Sequence, residues 1–362
     1  MLCIMPNLFS PAQLGNLTLQ NRIVMAPMTR CRAPENVPSD LMATYYGQRS
    51  GAGLVITEGV SPSPNGLGYV NIPGIFSAEQ IAAWKPVTAA LHAGGAKAFV
   101  QLMHCGRVAH PLNLPAGARM VAPSAVAAKG QMFTIAQGMV DQPAPEAMNE
   151  ADLASTREEF VQAAKNAVAA GFDGVELHAA NGYLLEQFIR PNSNVRTDAY
   201  GGGIEGRARF VLEVVDATIA AIGKERVGIR LSPFGVFNDM PVYEGMEDDY
   251  LWLAKQLGQR GLAYMHLVDH SASGAPAVPE SIKTGMRDAF KGCVILVGTY
   301  TPERAQADLD AGKADLIAVG KAFIANPDLV QRWKTGAALN AFDVNTFYAG
   351  GEAGYIDYPA LV

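Results

Sequence analysis

Residues 174 to 202, GVELHAANGYLLEQFIRPNSNVRTDAYGG, decide the fold. A short apolar strand (Val175, Glu176, Leu177) delivers His178, Asn181 and Tyr183, and a helix-like run follows at 184–189. A strand that ends in polar side chains at a strand-to-helix junction is where barrel enzymes keep their chemistry. His178 and Asn181 can each donate to one oxygen atom, and Tyr183 carries a phenolic proton. Two donors beside an acid suit a reaction in which an oxygen gains negative charge while a neighbouring carbon is protonated. A lone histidine at a strand end is as readily a satisfied structural residue. Three such residues within six positions shift the reading to function.

Outward from this unit, strands and helices alternate. Toward the N-terminus, residues 7–20 read as a β-hairpin turning at Gly15-Asn16, a lead-in that can close the bottom of a barrel. IVMAPMTR (23–30) is a first strand, GLVITEG (53–59) a second and KAFVQLMHCG (97–106) a third, with helices over 40–50 and 81–93. A helix over 150–170 leads into the fourth strand, the one quoted above. Beyond it, VGIRLSP (227–233), YMHLVDH (264–270), CVILVG (293–298) and DLIAVG (315–320) follow helices over 204–222, 248–260, 279–290 and 302–311. A last helix follows Asn326. Eight near-continuously apolar strands fit a parallel sheet buried on both faces. The expected fold is therefore α/β, a (β/α)8 TIM barrel in one domain over 1–362. A doubly wound sheet would use fewer strands. Residues 107–148 break the alternation, rich in Pro, Gly and Ala, with strand-like pieces near 120–121 and 132–135. A stretch that long has a job, and its place after the third strand makes it a capping lid.

Composition narrows the function. With 49% hydrophobic and 17% charged residues the chain folds rather than remaining disordered, and a net charge of −6 speaks against nucleic acid. Cys3, Cys31, Cys105 and Cys293 are scattered without a CxxC pair, which removes zinc and iron–sulfur sites and makes a reducing cytoplasm the default. MLCIMPNLF lacks the basic region of a signal peptide, and no apolar window approaches ~18 residues, so no membrane span is expected. No G-x-G-x-x-G follows a strand, so a dinucleotide-binding Rossmann unit has no support.

Phosphate is another matter. The seventh and eighth strands end in Gly298-Thr299 and Gly320-Lys321. Glycines there free backbone N–H groups to approach an anion, in the two loops where barrels usually bind phosphate. Either glycine alone could simply end a strand. The pair, with a lysine beside one, favours phosphate binding.

HAANGYLLEQF, PNSNVRTDAYGG and EGRARF, with AFIANPDLV at 322–330, resemble the old yellow enzyme family of flavin-dependent ene-reductases, which includes the bacterial N-ethylmaleimide and pentaerythritol tetranitrate reductases. The resemblance runs from Leu8 to about Tyr358. It implies FMN, with its phosphate at Gly298, Thr299, Gly320 and Lys321. It also implies that Ala26, Pro27, Met28 and Thr29 meet the flavin edge, that Gly59 packs on the ring, and that Gln101 and Arg230 face the pyrimidine side. NADPH or NADH would reduce the flavin. Hydride would then pass to the β-carbon of an α,β-unsaturated carbonyl or nitro compound held by His178 and Asn181, with Tyr183 protonating the α-carbon. Tyr69, Met103, Asn238, Phe347 and Tyr348 match positions that line the substrate pocket.

Departures from the family pattern are local. Lys321 stands where Arg is usual, giving a point charge in place of a forked grip. Met103 replaces a frequent Trp, which implies a differently shaped pocket. Gly203 and Gly206 replace Ser and Asn, which weakens capping of the next helix. Cys31, two residues beyond Thr29, reads as core or as backing for the site, and His104 and His110 as structural or lid residues.

The expected function is an FMN-dependent ene-reductase acting on small activated alkenes, as a cytoplasmic monomer or homodimer. Reduction of nitrate esters or nitroaromatics on the same scaffold is the alternative. A flavin-free phosphate-binding lyase or a flavin-storage module would use the phosphate loops without Tyr183, and the dienoyl-CoA reductase branch would need clustered cysteines and a second domain.

Overall fold

A computed structural model describes residues 7–348 and 350–361. Cys3 and the leading residues of MLCIMPNLF lie outside the described residues.

The chain enters through an antiparallel hairpin, β1 (Ala12–Leu14) and β2 (Leu17–Leu19), turning at Gly15 with φ +55°. Its alternation buries Ala12, Leu14 and Leu19 in one apolar cluster with Val24, Leu54, Phe99, Ile295 and Leu316. Those residues lie in the strands of the barrel, so the hairpin stops its N-terminal end.

Eight parallel strands then close on themselves: β3 (Ile23–Met25), β4 (Leu54–Val60) and β5 (Lys97–Leu102), and, past the short strands introduced below, β10 (Gly174–Ala179), β11 (Val227–Leu231), β12 (Tyr264–Val268), β13 (Val294–Val297) and β14 (Leu316–Val319). Every residue in them but Lys97 is buried, which is why their sequences are apolar without alternation. Around them run α1 (Asp40–Gln48), α2 (Ala78–Ala93), α3 (Glu150–Ala169), α4 (Leu184–Ile189), α5 (Ile204–Arg207), α6 (Arg209–Ile222), α7 (Met246–Arg260), α8 (Glu280–Phe290), α9 (Pro302–Asp310), α10 (Lys321–Ala325) and α11 (Leu329–Thr335). Capping boxes start α2 (Ser77 with Gln80) and α3 (Asn149 with Asp152). This is the (β/α)8 barrel the alternation implied.

One difference has a physical cause. The helix expected over 204–222 breaks at Ala208 into α5 and α6. Gly203 offers no side-chain cap, and Gly206 is needed because a Cβ there would sit 2.0 Å from the Gly201 carbonyl oxygen. The stretch 107–148 carries four strands: β6 (Val121–Ala122) pairs in parallel with β9 (Glu146–Ala147), and β7 (Gln131–Thr134) pairs with β8 (Gly138–Asp141) as a hairpin. Among the described residues no helix is long and apolar enough to cross a membrane.

Candidate active site

Strand register gathers the polar residues at the C-terminal end of the barrel. Gln101 of β5 lies level with Gly59 of β4 on one side and Glu176 of β10 on the other. Two residues further along β10, His178 is level with Arg230 of β11, and Arg230 with His266 of β12. Five polar residues thus meet across four neighbouring strands, with Gly59 on a fifth. Gln101 donates through Nε2 to Glu176 Oε1 at 2.8 Å, and the other Glu176 oxygen meets His266 Nδ1 at 2.8 Å. With its NH2 held there, Gln101 offers the mouth its carbonyl oxygen.

Charge in this row is balanced in one way. Burial pushes the Glu176 carboxyl up, but His266, Arg230 and the Gln101 hydrogen bond outweigh it and hold the group below its ordinary range. Burial pulls His266 down more than Glu176 raises it. Glu176 is therefore held as a carboxylate, with the Arg230 charge nearby. Arg230 is buried, with 6% of its surface exposed, and among the described residues its guanidinium makes no hydrogen bond or ion pair. A buried guanidinium without donors' partners is costly. It is open to a partner from outside the chain.

The junction after β10 is clamped from several sides. Asn181 takes φ +59° and Gly182 φ +79°. The left-handed region suits Asn among side-chain-bearing residues, while Gly182 has no room for a Cβ, which would come within 2.7 Å of the Asn238 Cβ. Asn181 N–H donates to Ser232 Oγ at 2.8 Å, and its carbonyl accepts from Asn238 Nδ2 at 2.7 Å. Buried Glu186 accepts from Gly182 N–H (2.6 Å), Ser232 Oγ (2.9 Å), Tyr250 OH (2.8 Å) and Arg190 (2.9 Å). Gln187 holds the Cys105 and Gly182 carbonyls.

On this frame the His178 ring stays free. His178 has no protein hydrogen-bond partner on either ring nitrogen among the described residues, and its Nδ1 is buried. Burial first, then Arg230, His266 and His270, drive its pKa well below the ordinary value, so the ring is neutral. The Tyr183 ring stands edge-on to His178 with centroids 4.9 Å apart, and its hydroxyl donates to Tyr69 OH at 3.0 Å. Burial, with Tyr69 and Cys105 adding to it, raises Tyr183 well above its ordinary pKa and keeps the proton on it at neutral pH.

The pocket walls divide. Tyr69, Met103, Cys105 and Tyr183 pack in one apolar cluster with Cys31, and the space at Gly59 is filled by Met103, whose Sδ would lie 2.5 Å from a Cβ there. Burial pushes the Cys31 thiol up to about 12, so it is no thiolate. Asn238 is used by the Asn181 carbonyl, which makes it part of the clamp. Phe347 and Tyr348 reach the same side on the C-terminal segment, where Arg30 and Arg32 both donate to the Phe347 carbonyl; Tyr348 is 68% exposed. His104 accepts from Gly106 N–H and His110 from Leu112 N–H, both short-range ties in loops.

Across the mouth, β13 and β14 end in Gly298-Thr299 and Gly320-Lys321. A Cβ on Gly298 would find nothing nearer than 3.8 Å and one on Gly320 nothing nearer than 3.6 Å, so the protein's own packing demands neither glycine. Lys321 is exposed and without an ion pair among the described residues. Met28 packs close to Gly320, and Ala26 N–H is tied to the Val319 carbonyl, which brings the end of β3 alongside these loops.

The sequence reading missed the residues that orient the others. Glu176 and His266 were read as parts of apolar strands, and only their level positions in the register identify them. His270 ends an apolar run in the sequence, yet its Nε2 lies 2.7 Å from Asn181 Oδ1. Arg304, on α9, donates to the Thr299 carbonyl at 2.9 Å and sets a second cation beside the loop.

An unpartnered buried guanidinium, an amide oxygen, and two open glycine loops with a lysine fit a flat, polar-edged, phosphorylated cofactor. Fold and mouth define a flavin-dependent barrel oxidoreductase. Residues 7–340 match the NADH:flavin oxidoreductase / NADH oxidase family. A probable flavin mononucleotide-dependent alkene reductase of Leishmania infantum is 41% identical, covering 98% of this chain and 97% of that protein. Among solved structures, morphinone reductase is 48% identical with a TM-score of 0.95, covering 98% and 96% of the two chains. The old yellow enzyme homologue from Zymomonas mobilis is 40% identical with a TM-score of 0.94, covering 98% and 100%. The chain belongs to this family, the old yellow enzymes, and is an FMN-dependent oxidoreductase that draws electrons from a nicotinamide donor.

Proposed function

We propose that the enzyme reduces small alkenes conjugated to a carbonyl or nitro group, and that His178, Asn181 and Tyr183 carry the substrate half of the reaction. The observation behind this is the contrast within one junction: a backbone held by Ser232, Asn238 and Glu186, and on it a His178 ring with no protein hydrogen-bond partner among the described residues beside a Tyr183 hydroxyl bonded to Tyr69 OH. Bound FMN, reduced by NADPH or NADH, supplies the hydride that reaches the β-carbon.

The neutral His178 ring and the Asn181 amide each donate to the substrate oxygen, and their hydrogen bonds strengthen as that oxygen takes up charge. Fixed donors in a buried mouth need no reorganisation as the charge moves. Tyr183 gives its proton to the α-carbon. Its raised pKa means that it is fully protonated beforehand, and the Tyr69 hydroxyl, 3.0 Å away, is placed to hydrogen-bond the oxygen left behind.

For the cofactor, Arg230 would serve the electron-rich edge and Gln101 would accept from a ring N–H, with Thr29 and the Ala26 to Met28 backbone holding other polar atoms of the ring. Gly59 would pack on the ring, and the Gly298–Thr299 and Gly320–Lys321 loops would take the phosphate. Met103, Phe347 and Tyr348 shape the pocket, and the 107–148 segment caps it within a single domain. A cytoplasmic monomer or homodimer completes the reading, in keeping with the unpaired thiols of Cys31, Cys105 and Cys293.

Replacing the acid tests the assignment. Tyr183→Phe should slow alkene reduction by ~10²-fold or more while leaving FMN reduction by NADPH within about twofold, as read by stopped-flow absorbance of each half-reaction. Equal slowing of both halves would remove Tyr183 as the proton donor.

A further inference from the structure

We infer that His270 is a positioning residue, which locks the Asn181 side chain so that its NH2, and not its carbonyl oxygen, faces the substrate. The inference rests on the donor role given to Asn181 above.

A carboxamide has two ends of nearly equal shape and opposite hydrogen-bonding character. Turned by half a rotation, Asn181 would present a lone pair to a substrate oxygen and repel it. The Asn181 backbone is held by Ser232 and Asn238, which fixes where the side chain starts but not which end points outward. Among the described residues, His270 Nε2 is the one protein group hydrogen-bonded to the amide itself, at 2.7 Å from Oδ1.

His270 is itself firmly placed. It follows β12, where Asp269 N–H is tied to the Val297 carbonyl and the Asp269 carboxylate to Lys283 Nζ at 2.9 Å. The His270 carbonyl accepts from Ser273 N–H, and its ring packs on Phe237 with centroids 4.5 Å apart. Phe237 precedes Asn238, so the loop that holds the Asn181 backbone also backs the ring that holds its side chain. Burial, with Arg230 adding to it, lowers the His270 pKa to about 4 and keeps the ring neutral. A neutral ring carries one N–H, and with that proton on Nε2 the Asn181 oxygen is held and both amide protons turn to the mouth. With the proton on Nδ1 the amide would reverse, so ring tautomer and amide direction are one coupled choice.

Two substitutions in the FMN-loaded enzyme separate donor from shape. His270→Phe keeps a ring against Phe237 and removes the N–H, whereas His270→Gln restores a side-chain donor. The reading is the dissociation constant of cyclohexanone, a saturated ketone that accepts hydrogen bonds and has no alkene to reduce, followed through the flavin absorbance. His270→Phe should weaken binding ~10-fold, the worth of about one hydrogen bond, and His270→Gln by no more than about threefold. In an Asn181→Ala background His270→Phe should change binding less than about twofold, because its effect passes through Asn181. Wild-type affinity in His270→Phe, equal losses in Phe and Gln, or an undiminished loss in the Asn181→Ala background would each overturn the inference. Wild-type enzyme that binds cyclohexanone no better than Asn181→Ala would instead overturn the donor reading beneath it.

Discussion

Two parts of the barrel mouth solve opposite problems. At the β10–α4 junction, side chains of the loop after β11 and of α4 hold the backbone, and Glu186 alone accepts from four groups. At the ends of β13 and β14 the loops are open, Thr299 and Lys321 are exposed, and Arg304 is the side chain that ties the Thr299 carbonyl. A group that meets a reacting atom must be in place before the reaction, because its value lies in not having to move. A group that only anchors a ligand needs vacant space and available donors, and the ligand itself supplies the order. The difference predicts that the junction fails through instability and the loops through affinity.

The strongest way to break that contrast is Glu186→Gln. It leaves the Arg190 guanidinium, which has no exposed side-chain surface, without its carboxylate. Removing one partner of a buried pair costs ~3–5 kcal/mol, so urea denaturation should show a loss of that size. A loss below about 1 kcal/mol would mean that Ser232, Tyr250 and Gly182 hold the junction unaided. No single change at the β13 or β14 loops should approach it.

Acid should act on the junction in the same direction. The unfolded chain protonates His270 near 6.5 and the folded chain only near 4, so the unfolded state binds the extra proton between these values. Stability is therefore complete above about 6.5 and falls as pH drops toward 4, by at most about 3 kcal/mol for this residue. His178 adds to the fall with the same sign, since burial lowers it too. Unfolding free energy measured from pH 7 to 4 should decline, and His270→Gln should flatten part of the slope. An unchanged slope in that variant would show that His270 titrates alike in both states.

These two tests also mark how far the sequence could be read. Apolar runs without alternation identified all eight barrel strands, because parallel strands buried on both faces leave that trace whatever surrounds them. The clustering of His178, Asn181 and Tyr183 at one junction was readable for a similar reason: polar residues crowd a strand end only when something holds them there. The holders themselves left no local trace. Glu176 and His266 are ordinary strand residues until the β10, β11 and β12 registers set them level, and His270 lies 89 positions from Asn181. The break at Ala208 escaped as well, because an apolar face continues through it while the Gly206 and Gly201 backbones meet.

The smallest effects should come from the open loops. Lys321→Ala removes a point charge from the proposed phosphate site and should weaken FMN ~10-fold, as read by flavin fluorescence on dilution, with the urea midpoint of the FMN-free protein unmoved. Lys321→Arg is the finer test. A guanidinium can grip two phosphate oxygens at once, and its planar fork loses less freedom per hydrogen bond than the flexible ammonium. Lys321 is exposed and not engaged in any ion pair among the described residues, so a longer side chain there displaces no packed neighbour. Arg304, already bonded to the Thr299 carbonyl, would sit across the loop as a second cation. FMN should bind a few-fold tighter in Lys321→Arg, with stability of the FMN-free protein again unchanged. Weaker binding would mean that lysine is matched to this loop's shape, and the β13–β14 end would then be as closely fitted to its role as the junction opposite.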